Sequence, residues 1–258
     1  MDYKQIKNAA LTGAFVFFAF SAFATEGDRP VRTIELGFVA YAKSPKYYAK
    51  SKETRELAAL RAAGADPVIL PEDIDIFLPE NDQKAAKCKR IWIPRYAYSF
   101  SQKARDGMKK YVADGGLLIT GDSMVIVAPA PGDKPAPKEI VKTNPIVGVS
   151  GMGGATYDKM TVSLETPLTE GFPLNQWLDF KYKLNGRYIA AGGGAAITVA
   201  LAHGSNRLNA SYEQPFLLYR QFGKGACVYL VCGAENEPSA LKIMKNILSA
   251  TTLRWLCA

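Results

Sequence analysis

The sequence is poor in the residue types that most often carry metal or redox chemistry. It contains a single histidine, His203, and four cysteines, which are Cys88, Cys227, Cys232 and Cys257. No two cysteines form a C-x-x-C pair, and none has the Cys/His spacing of a zinc site. The sequence therefore predicts neither a bound metal nor a thiol redox centre.

The glycine-rich stretches lie outside the places where nucleotide-binding loops occur. Neither Gly151-Met152-Gly153-Gly154 nor Gly192-Gly193-Gly194 lies between a first strand and its helix, where a phosphate loop belongs. Both are predicted to be turns, and no cofactor is expected.

The charge balance is basic, with 32 Lys and Arg against 24 Asp and Glu and a formal net charge of +8. Such an excess favours anionic ligands through long-range attraction. The basic residues are spread along the chain, however, without a dense basic helix or a nucleic-acid-binding motif. A solvated basic surface is therefore the preferred interpretation, and no nucleic-acid partner is predicted.

The N-terminal segment has the composition of a signal peptide. Two lysines precede an apolar run from Ala9 to Phe20, and Ala22-Phe23-Ala24 supplies a cleavage pattern of small residues. The run is shorter than the ~20 apolar residues of a membrane-spanning helix. We predict that residues 1–24 are removed and that residues 25–258 form one exported domain, periplasmic or secreted, without a stable membrane span. An uncleaved anchor is the alternative.

Export would permit disulfide bonds, but the chain is long enough to fold without them. Cys227 and Cys232 lie on one predicted strand and face opposite ways, so they are poorly placed to pair. A bridge between Cys232 and Cys257 and a set of buried free thiols are both left open.

The segment from Arg90 to Ser123 has the order of a parallel βαβ unit. Its first strand contains Ile91-Trp92-Ile93, an apolar run that suits burial on both faces. A helix with Ser99 or Ser101 as its cap follows, and Leu117–Thr120 forms the next strand. The apolar stripe of this helix consists of Ala104, Met108, Tyr111 and Val112.

The remaining patterns define the fold class. A strand–helix–strand unit covers residues 33–70, and residues 128–145, rich in Pro and Lys, are predicted to be an exposed excursion. Strand-like runs dominate afterwards, at residues 159–164, 187–191, 196–202, 216–222 and 226–232. Gly223-Lys224-Gly225 is predicted to be a hairpin turn, and Pro238 opens a single final helix whose apolar face extends from Leu241 to Leu253. The prediction is an α/β fold, a three-layer flavodoxin-like sandwich with a mostly parallel sheet and an antiparallel-rich C-terminal half.

Three segments resemble class I glutamine amidotransferase-like domains. Residues 91–122 are similar to the strand–helix–strand core of these domains, Thr166–Pro173 resembles a turn common in them, and Gly223–Leu230 resembles the hairpin before their last strand. The similarity is greatest to the trimerisation-type domain of some β-galactosidases and to trehalose-utilisation-type proteins. The resemblance implies that residues 33–250 share the fold of this superfamily.

The catalytic pattern of these enzymes is absent from the chain. The resemblance would require a cysteine at a tight strand-to-helix elbow, with a histidine and an acidic residue on a later loop. No cysteine here has a G-x-C-x-G context, and His203 lies in the segment ALAHGSN instead of after the last strand. The resemblance therefore implies the fold without amidotransfer.

Polar residues follow the predicted first, third and fourth strands, at the edge where α/β sheets place their sites. These rim residues are Tyr41, Lys43, Arg95, Tyr96, Tyr98, Asp122 and Ser123. Aromatic faces beside charged hydrogen-bonding groups suit a carbohydrate or an anionic ligand. The alternative is a solvated sheet edge whose tyrosines pack against the helices.

Ser123 and His203 are the candidate catalytic residues, although a structural role is the preferred interpretation of His203. Ser123 lies in GDSMV, which lacks the second glycine of the G-x-S-x-G nucleophile turn, and nothing in the sequence brings His203 to it. Asp122 and Ser123 are predicted to cap the following segment. Glu237, directly before Pro238, is predicted to complement a helix N-terminus.

The leading hypothesis is an exported, non-catalytic amidotransferase-like domain that binds a ligand or a partner. Its context in carbohydrate or cell-envelope metabolism rests on the resemblance alone. The second hypothesis is a hydrolase that uses Ser123 or a carboxylate at the same sheet edge. The third is a structural module that forms a homo-oligomer.

Overall fold

The computed structural model of this chain describes residues 31–40, 55–94, 101–120, 143–144, 149–191, 196–206, 211–231 and 237–257. The strands are β1 (Ile34–Val39), β2 (Val68–Leu70), β3 (Cys88–Ile93), β4 (Leu117–Thr120), β5 (Thr143–Asn144), β6 (Val149–Val162), β7 (Trp177–Ala191), β8 (Ile197–Asn206), β9 (Ser211–Phe222) and β10 (Gly225–Leu230). The helices are α1 (residues 55–62), α2 (Asp82–Ala86), α3 (Gln102–Ala113), α4 (Pro238–Leu248) and α5 (Ala250–Leu256). Short 3-10 helices cover Asp73–Phe77, Pro79–Asn81 and Pro167–Thr169.

The ten described strands join into one mixed sheet with the order β2-β1-β3-β4-β10-β9-β8-β6-β5. β7 pairs with the side of β6 that β8 leaves open. Strands β2, β1, β3, β4 and β10 run parallel to one another. Ile91, Trp92 and Ile93 of β3 are completely buried, which confirms the burial predicted from their apolar run.

Helices cover both faces of the parallel strands. On one face, α1 contacts Trp92 through Glu56, and Trp255 of α5 packs on Tyr219 of β9. On the other face, α3 passes so close to β10 that a Cβ on Gly225 would overlap the Val112 carbonyl oxygen. The chain crosses from β1 to β2 in one direction along the sheet and from β3 to β4 in the opposite direction. Because both crossovers are right-handed, α1 and α3 lie on opposite faces.

The prediction of a mostly parallel sheet is wrong. Among the described strands, four pairings are parallel and five are antiparallel. The strands from β6 to β10 follow one another without an intervening α-helix in the described residues. Neighbouring parallel strands need a long crossover, whereas short connections join antiparallel strands. The Gly223-Lys224-Gly225 turn, with Gly223 at a φ of +63°, is such a connection and was correctly predicted.

The predicted local structure is confirmed in α3 and corrected elsewhere. The four residues of the α3 stripe are buried, and the Ser101 hydroxyl accepts a hydrogen bond from the Ala104 amide at 3.1 Å. The predicted single final helix is wrong, because Ser249 leaves the helical conformation and caps α5 through the Thr252 amide. Residues 151–154, predicted as a turn, lie inside β6. Their pairing with β7 outweighs the low strand propensity of glycine.

Several predictions lie outside the described residues. They include the signal peptide, Ser99, Cys232, Gly192-Gly193-Gly194 and most of the 128–145 excursion, of which Thr143–Asn144 forms β5. Of the helices that the structure describes, none combines the length and the apolar character needed to cross a bilayer.

Candidate functional site

The carboxyl ends of four parallel strands lie side by side at one edge of the sheet. Ile93 of β3 pairs with Thr120 of β4, and Thr120 pairs with Tyr229 of β10. Phe38, near the end of β1, pairs with Trp92 on the other side of β3. Loops that follow these strands therefore leave the sheet at a common edge, as the sequence predicted.

The topological switch point lies between β1 and β3. From β1 the chain crosses outward to β2, and from β3 it crosses in the opposite direction to β4. Open α/β sheets bind ligands at this position, because the loops on either side of the switch diverge and leave a crevice. The residues that follow β1 and β3 are thus the ones that would line the crevice.

The rim residues themselves lie outside the described part of the chain. This holds for Tyr41, Lys43, Arg95, Tyr96, Tyr98, Asp122 and Ser123. The structure consequently describes the strand ends that carry them, up to Ala40, Pro94 and Thr120, and their role in binding stays a prediction.

Glu237 lies between β10 and α4. Its side chain is buried, and both carboxyl oxygens accept a hydrogen bond from the Ser239 amide nitrogen, at N···O distances of 3.2 and 3.3 Å. Pro238 occupies the first turn, where its missing N–H costs nothing. Glu237 is therefore the cap of α4, as predicted, and its carboxyl group is engaged in holding the helix.

His203 lies away from this edge, on the antiparallel part of the sheet. Its Nδ1 is 2.8 Å from Oδ1 of Asp158 on β6, and its Nε2 is 2.6 Å from the hydroxyl of Ser211 on β9. The side chains remain accessible, with 27 % of His203 and 49 % of Asp158 exposed. A carboxylate, an imidazole and a hydroxyl thus form a continuous hydrogen-bonded row, which we call the Asp-His-Ser row.

An exposed aromatic ring adjoins the row. The indole of Trp177, at the start of β7, meets the His203 ring edge to face, with centroids 6.3 Å apart and an angle of 85°. The Lys159 ammonium lies 5.1 Å from the centre of the same indole. The ring, the imidazole and the ammonium group therefore form one patch on the surface of the sheet.

Sequence reasoning identified His203 but neither of its partners. Ser211 belongs to Asn209-Ala210-Ser211, which has the sequence of a glycosylation sequon, and Asp158 belongs to no motif. Pairing of β8 with β9 places Ser205 opposite Ser211 and so brings Ser211 near His203. Recognising the β8–β9 hairpin could have revealed this neighbour. Asp158 could not be found in this way, because it lies in a bulge of β6 that no local pattern announces.

The described cysteines are free thiols. Burial raises the pKa of Cys88 and of Cys257 to about 11 and raises the pKa of Cys227 further. A thiol with so high a pKa is a poor nucleophile, because little thiolate forms near neutral pH. Within the described residues, no group of three or more His, Cys, Asp and Glu side chains could hold a metal ion.

Comparisons with known proteins identify the fold and leave the family open. No family model and no curated protein sequence matches the chain. Among solved structures, a β-galactosidase from Rahnella sp. R3 superposes with a TM-score of 0.57 at 12 % identity, over 87 % of this chain and 32 % of that chain. The chain thus spans about a third of the length of this β-galactosidase.

Two other similar structures are covered almost completely. A cytoplasmic protein from Salmonella typhimurium has a TM-score of 0.54 at 16 % identity, over 86 % of this chain and 99 % of that one. A putative ThuA-like protein from Bacteroides uniformis has a TM-score of 0.54 at 12 % identity, over 86 % and 92 %. These neighbours agree with the superfamily that the sequence motifs resemble, and at such identities they show a shared fold alone.

Proposed function

We propose that this chain is an exported, amidotransferase-like domain that binds a carbohydrate or an anionic ligand at the carboxyl edge of its sheet. The observation that carries the proposal is the switch point between β1 and β3. The loops after these two strands contain Tyr41, Lys43, Arg95, Tyr96 and Tyr98, a set of aromatic and basic side chains.

The chemistry of this set favours a sugar or a polyanion. Tyrosine rings cover the C–H faces of a sugar ring, while arginine and lysine donate to hydroxyl, carboxylate or phosphate oxygens. The formal net charge is +8 for the full sequence and +7 once Lys4, Lys7 and Asp2 are removed with residues 1–24, and this excess adds a long-range attraction for anions. Similarity to a β-galactosidase and to a ThuA-like protein supports a carbohydrate context.

The domain binds its ligand without amidotransfer, because the sequence lacks the family's cysteine elbow and its later histidine. In the described residues the three cysteines are free thiols with raised pKa values. Glu237, a carboxylate near the sheet edge, is already engaged as the cap of α4.

Affinity electrophoresis would test the proposal. The full chain is run through gels that contain a neutral galactan, an acidic polysaccharide or no polymer, and retardation reports binding. A variant with Tyr41→Ala, Arg95→Ala and Tyr98→Ala should lose the retardation. The matched control carries Tyr182→Ala and Arg61→Ala, which change an exposed tyrosine on β7 and an exposed arginine on α1. Retardation that persists in this triple variant would contradict ligand binding at the crevice between β1 and β3.

Self-association through β7 is the second candidate function. β7 is fifteen residues long, and in the described part of the chain its outer edge has no neighbouring strand. An open strand edge is a template for pairing with another chain, here along Trp177–Asp179 and Leu184–Ala191, on either side of the register shift with β6. Sedimentation velocity over a wide range of protein concentrations should then show a dimer or larger species, and a monomer at every concentration would exclude it.

A further inference from the structure

We propose that the Asp-His-Ser row is a nucleophilic site that takes a carboxylic ester, with Ser211 as the nucleophile. The site is separate from the β1–β3 crevice and lies on the exposed face of β6, β8 and β9. It is independent of the ligand-binding proposal, since neither its residues nor its chemistry involve the rim.

The order of the contacts is the order that activation of a serine requires. The Asp158 carboxylate can only accept, so Nδ1 of His203 donates to it, and in the neutral imidazole Nε2 then keeps its lone pair. Nε2 in turn faces the Ser211 hydroxyl at 2.6 Å. In this arrangement the imidazole can take the hydroxyl proton while the carboxylate stabilises the imidazolium that forms.

A β-bulge creates this arrangement. Tyr157 pairs with Gly204 and Lys159 pairs with His203, which leaves Asp158 as an extra residue between two successive pairs of the ladder. Bulges of this kind redirect side chains and are common beside active sites. On the opposite side of β8, Ser211 is a diagonal neighbour of His203, because Ser205 and His203 pair with Ser211 and Glu213.

The surroundings indicate the class of substrate. The exposed Trp177 ring lies beside His203, with the Lys159 ammonium 5.1 Å from its centre, and the exposed part of the indole can contact an aromatic or sugar ring. The accessible Asp158 and His203 side chains suit an ester group that projects from a larger molecule. The site therefore fits an ester whose alcohol or acyl part carries a ring.

The reaction proceeds in two steps, acylation of Ser211 and hydrolysis of the acyl-serine. In the first, Ser211 Oγ forms a bond to the ester carbonyl carbon, its proton moves to His203 Nε2, and the carbon–oxygen bond to the alcohol breaks as that proton passes to the leaving oxygen. In the second, water attacks the acyl-serine, gives a proton to His203, and releases the acid while Ser211 recovers its proton. Asp158 remains a carboxylate throughout.

Covalent labelling with an alkyl fluorophosphonate tests the nucleophile directly. The full chain is incubated with the probe, the adduct is measured by intact mass, and peptide mapping locates it. We expect labelling of Ser211 and its complete loss in Ser211→Ala. Because general-base assistance is worth about 100-fold or more, His203→Gln should slow labelling by about 100-fold. Ser205→Ala is the matched control, since this exposed serine pairs with Ser211 across the same hairpin, and the variant should label at the wild-type rate.

The position of the adduct separates this proposal from its competitors. No adduct at Ser211, an adduct only at Ser123, or equal labelling of Ser205 and Ser211 would each overturn it. Hydrolysis of p-nitrophenyl acetate provides a second readout, in which Asp158→Asn should slow release of p-nitrophenolate by about tenfold or more through loss of the tautomer. Circular dichroism spectra that match the wild type would show that the variants remain folded, and unchanged hydrolysis in a folded Asp158→Asn variant would contradict the proposed row.

Discussion

Trp92 of β3 donates its indole N–H to a carboxyl oxygen of Glu56 of α1 at 3.0 Å, and both side chains are buried. The contact joins a helix on one face of the sheet to a strand that borders the topological switch point. A buried donor that loses its acceptor pays the cost of its desolvation, so this bond has a direct consequence for stability.

Replacing Glu56 by alanine should destabilise the fold by about 1–3 kcal/mol, because the indole N–H of Trp92 would stay buried without this acceptor. Glu56→Gln retains an acceptor oxygen and should cost less. Urea denaturation followed by tryptophan fluorescence measures both. Glu80→Ala, at an exposed glutamate in the 3-10 helix Pro79–Asn81, should stay within about 0.5 kcal/mol of the wild type. Equal effects of Glu56→Ala and Glu80→Ala would show that the buried bond contributes nothing.

Gly107 in α3 should not tolerate alanine. In an ordinary helix interior, Gly→Ala stabilises by about 1 kcal/mol. Here a Cβ would overlap the backbone carbonyl oxygen of Phe77, where α3 crosses the 3-10 helix Asp73–Phe77. The strain should reverse the sign and destabilise by about 1–3 kcal/mol. Thermal unfolding measures the difference, with the exposed Lys103→Ala in the same helix as the control. A stabilised Gly107→Ala variant would contradict the close approach.

Glu237 should behave as a helix cap and not as a catalytic carboxylate. Its removal in Glu237→Ala deprives the Ser239 amide of its side-chain acceptor, which should cost about 1 kcal/mol of stability. Glu237→Gln keeps an acceptor and should lose less. Chemical denaturation compares the two variants with Glu165→Ala, at an exposed loop position. If hydrolysis of p-nitrophenyl acetate fell in folded Glu237→Gln, the assignment as a cap alone would be wrong.

The described thiols should resist modification in the folded protein. Burial raises the pKa of Cys88 and of Cys257 to about 11, so the reactive thiolate is scarce at pH 8. We expect a Cys232→Ser variant, which retains the three described thiols, to react slowly with Ellman's reagent at pH 8 and quickly in urea. The raised pKa also means that the folded chain binds more protons than the unfolded chain above about pH 8.5, so stability should fall as pH rises towards 11. Fast reaction of all three thiols without denaturant would contradict this burial.

The central parallel strands β3 and β4 could be predicted because nearly all of their residues are buried on both faces. Ile91-Trp92-Ile93 and Leu117-Leu118-Ile119 are continuous apolar runs, and each lies within a described strand. The stripe of α3 follows the helical period and is buried where predicted. In these segments the local apolar pattern corresponds to a single environment, the buried core, so periodicity is sufficient to predict the secondary structure.

The antiparallel half could be predicted only in part. β6 and β7 are 14 and 15 residues long, far longer than the runs 159–164 and 187–191 that the sequence predicts. Their pairing is interrupted by register shifts, and the bulge at Asp158 breaks the alternation from which a strand is recognised. The same bulge brings Asp158 to His203. It therefore prevents the sequence from predicting either the full strand β6 or the Asp-His-Ser row. The length of β6 and β7 and the position of Asp158 both depend on how distant strands align, and local periodicity does not encode that alignment.

The position of β10 has a consequence for how the chain folds. β10 lies between β4 and β9, and its Val228 contacts Thr120, from which 108 residues separate it along the chain. During synthesis the edge of β4 therefore stays unpaired until β10, the last of the described strands, has been made. Such late closure favours slow folding and leaves an aggregation-prone edge in the nascent chain. Residues 225–230 complete the sheet by joining its parallel and antiparallel halves.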